Sequence, residues 1–594
     1  MVERSSRLSR RHNAIMPAHK RVGRGPRTAD KRRRTNGVAA EATGLASFRP
    51  PPLVSWGVAG LLILCFVVQC LAGMRRQSAT YDEPVYIAAG YSYIETGDLR
   101  LKQDAPPLVA TLSGVALRIG TYLGNQIAFD AASPLWSRST EYRFAQEFFA
   151  NAGDRRRTLQ MARIPMVLIG AALAVYIFLF GRLLFGDYGA LLPLYLFCFD
   201  PNGIAHSRIV AADAAWGAFF FIAHYYFYRL LTEGTLANLL GVSIAVALTT
   251  VAKFSGLLVF PSLALVGGMM YLFPSLMPPV PQDGTPSKKR RGLFRLGVFA
   301  AITSALATLL AVSVLYQSFT GVAQYVAGIR SIYTNGVPDF KFYLFGQFSP
   351  RSLWYYYPVA IALKTPEVTL ALLALAGLSV FIPGSRVARG IWLLIPVALV
   401  LAVSSQDPVT LGLRRVLPVY PFLFLWIGER VVRVGELWAR SGNGRIVRWI
   451  PAAVLLVVAG GGIVSAIQIH PYQLAYFNRV VGGPAAGSRY LDDSNIDWGQ
   501  DLPALAAWQS EHGVRPLALW YFGTDDPAGY GIEWRPLSDA EMLQPRRDVY
   551  AISVNNLIGL KLRAQETGRA ELDWLASYRP AVTIGYSIYI YDFR

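Results

Sequence analysis

The sequence predicts a polytopic α-helical membrane protein of about eleven transmembrane helices, with a small α/β domain at its C-terminal end. Three observations carry that expectation. Of the 594 residues, 53% are hydrophobic and only 16% charged, and the mean hydropathy is +0.34, where an ordinary soluble domain holds about 25% charged residues. Apolar runs of membrane-crossing length recur from residue 53 to residue 467. Beyond them, strand-like and helix-like segments alternate as in a compact α/β layer.

The elements follow in chain order. Residues 1–50 hold thirteen Lys and Arg, among them Lys31-Arg32-Arg33-Arg34, against three acids, so half of the formal charge of +20 sits in a tail rich in Arg, Gly and Ser. Such a tail is expected to be disordered and to meet the anionic cytoplasmic leaflet, with no nucleic acid as partner. It is too long for an ordinary cleaved signal peptide. The apolar runs are 53–73, 161–180, 188–199, 213–231, 236–252, 256–273, 296–315, 366–382, 391–404, 413–430 and 449–467. Between the first two, 84–96 and 107–123 read as helices, each started by a proline after an acid. In the tail domain, 489–493, 517–522, 549–554 and 581–591 read as strands and 502–511 and 570–577 as helices.

Charge supports the count. With the N-terminus inside, Lys288-Lys289-Arg290-Arg291, Arg386 with Arg389, and Arg433, Arg440, Arg445 and Arg448 all fall in cytoplasmic loops. An odd number of spans then puts 77–160, 316–365 and 470–594 on one outer face. Arg75-Arg76 and Arg155-Arg156-Arg157 lie outside against the trend, in reach of an anionic substrate or of lipid phosphates. The expected domains are a cytoplasmic tail, 1–50, a transmembrane module, 51–469, and an extracytoplasmic α/β domain, 470–594. Cys65, Cys70 and Cys198 all fall in apolar segments, so no disulfide framework and no metal-ligand spacing is read. The run Asp493-Ser494-Asn495-Ile496-Asp497 has the look of a calcium loop, but Trp498 and Ala504 stand where Gly and Glu are needed.

The candidate chemistry starts at Ala79-Thr80-Tyr81-Asp82-Glu83-Pro84. Two carboxylates just beyond the far face of the first span lie where a lipid-linked substrate presents its head group. The start of the helix at Pro84 keeps a nearby carboxylate ionised, and such a group can take a proton from a hydroxyl. The plain structural reading is that the acids cap a helix. Further ionisable residues cluster at outer ends of spans: Asp200, His206, Arg208 and Asp213 in one turn, then Lys253, Lys364 and Arg414-Arg415. Each costs roughly 2.5–3.5 kcal/mol at membrane depth on insertion scales, and their shared side points to one polar site rather than separate snorkelling. The aromatic stretch 316–358, with Trp354-Tyr355-Tyr356-Tyr357, reads as an interfacial belt or a surface on which sugars stack. A lipid or sugar transporter is the alternative from another class, and would show a polar path across the bilayer or repeated halves.

Together these residues carry a resemblance. Tyr81-Asp82-Glu83-Pro84 with Thr96-Gly97-Asp98 and Pro106-Pro107-Leu108, then Ser207-Arg208 with Asp213, and Lys364-Thr365-Pro366, resemble the protein O-mannosyltransferase and aminoarabinose transferase group. These are C-type (GT-C) glycosyltransferases that use polyprenyl-phosphate sugars. Leu413-Arg414-Arg415-Val416-Leu417-Pro418, His470-Pro471-Tyr472 and the stretch from Asp493 to Asp501 are similar to a bacterial branch. The resemblance implies transfer of a sugar from a polyprenyl-phosphate donor to a hydroxyl of a protein, lipid or glycan acceptor, with inversion, in a bacterial inner membrane. It implies Asp82 as base with Glu83 beside it; Lys364, Arg414, Arg415 and Arg208 as cations for the donor phosphate; and Asp104, His206 and Asp213 in support. Tyr86 and Ala105 stand where His is common in the group, so no metal site is assigned, and Asp104 is left as the position for a divalent cation.

Overall fold

A computed structural model describes residues 52–273, 286–334, 340–383, 390–440, 449–538 and 540–594. The tail 1–50, Arg386, Arg389, Arg445 and Arg448, and the side chains of Lys288, Lys289, Arg290 and Arg440, lie outside the described residues. Helix follows helix up to residue 469: α1 Pro52–Met74, α2 Glu83–Thr96, α3 Leu108–Tyr122, α4 Glu141–Ala150, α5 Arg155–Phe185, α6 Leu191–Cys198, α7 Pro201–His206, α8 Ala212–Glu233, α9 Leu236–Ala252, α10 Val259–Leu272, α11 Pro286–Leu315 and α12 Gly321–Thr334. After a two-stranded ribbon, β1 Phe342–Leu344 and β2 Gln347–Ser349, come α13 Tyr356–Lys364, α14 Glu367–Leu378, α15 Leu394–Ser404, α16 Val419–Arg440 and α17 Trp449–Ile469.

Every apolar run expected from the sequence contains a helix. Among the described residues, four helices, in segments 53–74, 155–185, 254–272 and 291–315, are long and apolar enough to cross a membrane, and shorter apolar helices accompany them. Local chemistry sets the boundaries. Asp154, Asp200 and Thr235 accept from the backbone N–H three residues on, which caps α5, α7 and α9. Glycine permits the tight crossing of α2 and α3: a Cβ at Gly114 would stand 2.0 Å from the Gly90 carbonyl oxygen. The helices share one apolar core that takes in Phe66, Ile177, Phe221 and Ile427.

The C-terminal part holds α18 Leu502–His512, β3 Leu517–Trp520, β4 Trp534–Arg535, β5 Val549–Ser553, α19 Val554–Thr567, β6 Val582–Ile584 and β7 Ile588–Asp592. The sheet runs β4-β3-β5-β7-β6. Its β3 pairs in parallel with β4 and β5, and β7 antiparallel with β5 and β6, with Ala551 opposite Ile590. Three expectations are corrected. Residues 489–493 form no strand, because the backbone turns through a 3-10 segment at Pro484–Arg489 and again at Asp493–Asn495. The single strand expected at 581–591 is a hairpin, turned by positive φ at Gly585 and Tyr586. Residues 570–577 form a kinked 3-10 segment, not an α-helix. From Ser55 to Arg594 the chain forms one compact unit.

Candidate active site

Asp82 stands at the N-cap position of α2, yet its side chain makes no capping hydrogen bond. Glu83 does the local work instead, accepting from the Thr80 N–H at 2.8 Å. The loop before them is held by the C-terminal part: Ser78 N–H donates to Gln500 O and Tyr81 N–H to Trp498 O at 3.0 and 2.9 Å, and Ala79 N–H to Asp525 Oδ2 at 3.0 Å. The Tyr81 ring lies on Phe522, centroids 5.2 Å apart.

Asp82 meets a cation delivered from more than three hundred residues away. Arg414 Nη1 lies 3.2 Å from Asp82 Oδ2 and 3.7 Å from Asp213 Oδ2. Its Nε donates to Leu411 O at 3.0 Å, and its guanidinium stacks 4.2 Å over the Trp498 ring. Asp213, in the first turn of α8, pairs in turn with Lys253 Nζ at 2.5 Å. Carboxylates and cations therefore alternate, Asp82, Arg414, Asp213, Lys253. The Asp82 side chain keeps 21% of its surface exposed, and its Oδ1 has no hydrogen bond among the described residues. His206 closes one side, its ring 6.3 Å from Trp498. Burial pulls its imidazole down to about 3, so it is neutral at pH 7.

Other residues expected at the site turn away from it. Glu83 is fully buried and forms a two-pronged ion pair with Arg163, at 2.8 and 2.6 Å; it also accepts from Val210 N–H at 2.8 Å. Every oxygen is engaged, so Glu83 holds α2, α5 and the 207–211 turn together and has no face toward a substrate. The three N–H donors of Lys364 go to Leu474, Tyr476 and Asn495 carbonyl oxygens at 2.9, 3.0 and 2.5 Å, which leaves none for a phosphate. Lys364 nonetheless joins the same corner, since Asn495 Oδ1 accepts from Leu413 N–H at 3.0 Å, next to Arg414. Arg208 is 1% exposed and donates to Gln77 Oε1 and Pro471 O. Its Nη1 lies against Gly73, where a Cβ would stand 1.5 Å away, and its Nε and Nη1 are buried without a hydrogen bond among the described residues. Arg415 pairs with Asp407 at the rim. Asp104 pairs with Lys102 at 3.0 Å. A single carboxylate already held by an ammonium does not suit a divalent cation, and no group of three or more acidic, His or Cys ligands occurs among the described residues.

Sequence reasoning missed Arg163 and Lys102, and named Asp493 and Trp498 only within the stretch that is similar to a bacterial branch, with no role at the site. Arg163 had a signal: it is the lone charge near the start of an apolar run, and such a charge needs a partner. Asp493 has φ +50, and its Oδ2 is buried without a hydrogen bond. Lys102 carried no signal at all.

Chemically, the cluster offers a partly exposed carboxylate able to accept a proton and a fixed guanidinium able to meet a developing anion. Residues 145–276 match the family model described as dolichyl-phosphate-mannose-protein mannosyltransferase. That stretch, under a quarter of the chain, includes Arg163, His206, Arg208, Asp213 and Lys253 but neither Asp82 nor Arg414. It is similar to the GT-C group that the sequence resembles. No curated protein sequence matches the chain. Among solved structures, the chain is similar to ArnT from Cupriavidus metallidurans in the apo state, at 12% identity and a TM-score of 0.45 over 90% of this chain and 98% of that one. It is similar to AglB from Archaeoglobus fulgidus at 11% identity, TM-score 0.43, over 69% and 56%. Its likeness to the S. cerevisiae Pmt1-Pmt2 complex, at 17% identity and TM-score 0.34, covers 45% of this chain and only 35% of that chain.

Proposed function

We propose that this chain is a membrane glycosyltransferase that moves one sugar from a polyprenyl-phosphate donor to an acceptor hydroxyl at the outer face of the membrane. The observation that carries the reading is Asp82, partly open to solvent and set against Arg414. The match to a mannosyltransferase family supports the same reaction class over a transporter. In the reaction, Asp82 Oδ1 takes the proton of the acceptor hydroxyl as its oxygen attacks the anomeric carbon. The bond from that carbon to the phosphate oxygen breaks on the opposite side, and the configuration inverts. Arg414 supplies the fixed cation for the negative charge that gathers on the departing phosphate. Asp213, itself paired with Lys253, holds Arg414 in place, and the Trp498 ring covers one face of its planar guanidinium. Glu83, Lys364 and Arg208 act as positioning residues.

The reading includes about eleven spans, the four long helices together with the shorter apolar ones. It also includes a cytoplasmic N-terminus and an extracytoplasmic 470–594 domain, on the strength of the Lys and Arg distribution, and a bacterial inner membrane, on the resemblance to a bacterial branch. The sugar is a hexose or pentose. The test is release of free polyprenyl phosphate by purified protein supplied with polyprenyl-phosphate sugars. Asp82→Asn is expected to slow release by roughly 10²–10⁴-fold, the usual span of a general base, and full activity in that variant removes Asp82 from the role.

A further inference from the structure

A cavity of ≈ 480 Å³ lies among α8, α9, α10 and α11. Asp213 sits in the first turn of α8, and Phe227 on the cavity wall follows it by roughly 21 Å of helix axis at 1.5 Å per residue, so the cavity stands apart from the Asp82–Arg414 contact. Its floor is made of buried Leu231, Val246, Leu263 and Ala300, and its rim of Phe294 and Val298, which are 65% and 41% exposed. The hydroxyls of Tyr271 and Ser304 are the only polar side-chain groups in the lining. Both α10 and α11 belong to segments long and apolar enough to cross a membrane, so the opening faces acyl chains.

Two glycines on the wall have no packing duty. Glycine inside a helix is costly relative to alanine, and in membrane helices that cost is ordinarily offset by a close approach of backbones, as at Gly90 and Gly114. A Cβ at Gly268 or Gly297 would meet no protein atom within 4 Å, so the room they leave belongs to the cavity.

Charge gathers at one end of it. Arg291 precedes Phe294 by three residues and Val298 by seven, which puts it one turn beyond the rim on the same side of α11. Between Leu272 and Leu296 the chain holds Lys288, Lys289, Arg290, Arg291 and Arg295 against one acid, Asp283. Arg291 and Arg295 make no ion pair among the described residues. The end of α8 adjoins this one, with Gly234 against Leu296, and its Arg229 is already paired with Glu233. From Leu293 to Ser304 the wall runs roughly 17 Å along α11, about the depth of one leaflet of a roughly 30 Å hydrocarbon core. An apolar cavity one leaflet deep, with unpaired cations at its end, matches a lipid with an anionic head.

We propose that this cavity holds one acyl chain of an anionic diacyl phospholipid, whose phosphate sits beside Arg291 at the basic start of α11. The lipid stays with the protein as a bound component, and the inference stands whether or not the chain transfers sugar. The test is native mass spectrometry of the full chain taken from vesicles of phosphatidylglycerol and phosphatidylcholine in equal amounts, with matched acyl chains. Polyprenyl phosphate is then added as a competitor. One phosphatidylglycerol per chain is expected to survive removal of the detergent, favoured over phosphatidylcholine by at least about tenfold. Gly268→Leu combined with Gly297→Leu fills the cavity without meeting protein and should abolish retention of either lipid. Arg290→Gln combined with Arg291→Gln should keep a bound lipid and lose most of the preference. Arg291 is exposed, so the glutamine pair decides the matter if the leucine pair does not fold.

Equal retention of the two phospholipids by the parent protein overturns the proposal, as does a leucine pair that holds phosphatidylglycerol as the parent does. Displacement of the bound phospholipid, one for one, by polyprenyl phosphate also overturns it, by assigning the cavity to a prenyl chain.

Discussion

Adjacent carboxylates, Asp82 and Glu83, end in opposite surroundings. One keeps a fifth of its side chain exposed against a single guanidinium contact; the other is sealed against Arg163 with no exposed surface. Removing one partner of a buried ion pair leaves an unpaired charge and costs about 3–5 kcal/mol. Glu83→Gln is therefore expected to lower stability by about that amount in thermal unfolding in detergent, whereas Asp82→Asn changes stability little and activity greatly. The sequence marked both residues but could not divide their roles, because the partners that divide them lie 80 and 332 positions away. The same holds for Lys364. It was legible as a cation near an outer membrane end, and only the carbonyls of Leu474, Tyr476 and Asn495 show that it binds protein.

At the scale of elements, the stretch 493–501 decides the shape of the site. Its Trp498 supports Arg414, its backbone holds residues 78–81, and its Ser494 Oγ donates to Leu411 O at 2.7 Å. Strand-like composition at 489–493 was misleading because these polar groups find partners in the helical part rather than along a sheet edge. Burial raises Asp497 to about 8 and Asp501 to about 7, with hydrogen bonds from Asn555 and Gly499 and from Ser587 and Gln500 pulling back. With folded values above the unfolded value of about 3.9, the folded state holds more protons between pH 4 and 8. Their contribution to stability is present at low pH and lost as pH rises through 7 and 8. Asp501→Asn should flatten part of that decline, read as the difference in melting temperature between variant and parent from pH 5 to pH 8. An unchanged slope would show Asp501 titrating as an ordinary surface acid.

For the whole molecule, the apolar runs gave the helices that lie in them, since a membrane-length apolar run has few other uses, but α4, α7, α12 and α13 were not read from the sequence. The mixed sheet was legible at β3 and β5, where buried apolar residues run consecutively. It was illegible at the two-residue β4 and in the α19 helix, where tertiary contacts override weak local preference. A chain ended at residue 469 is expected to aggregate on size-exclusion chromatography and to bind no donor, because the loop before Asp82, Lys364 and Arg414 all lose partners supplied by residues 474–525.

The three carbonyls on Lys364 also impose a schedule. They are encoded 110, 112 and 131 residues downstream of it, so the ribosome finishes every apolar helix while that ammonium still lacks its acceptors. A chain that stalls late in translation carries every apolar helix yet leaves that ammonium without its three carbonyl acceptors.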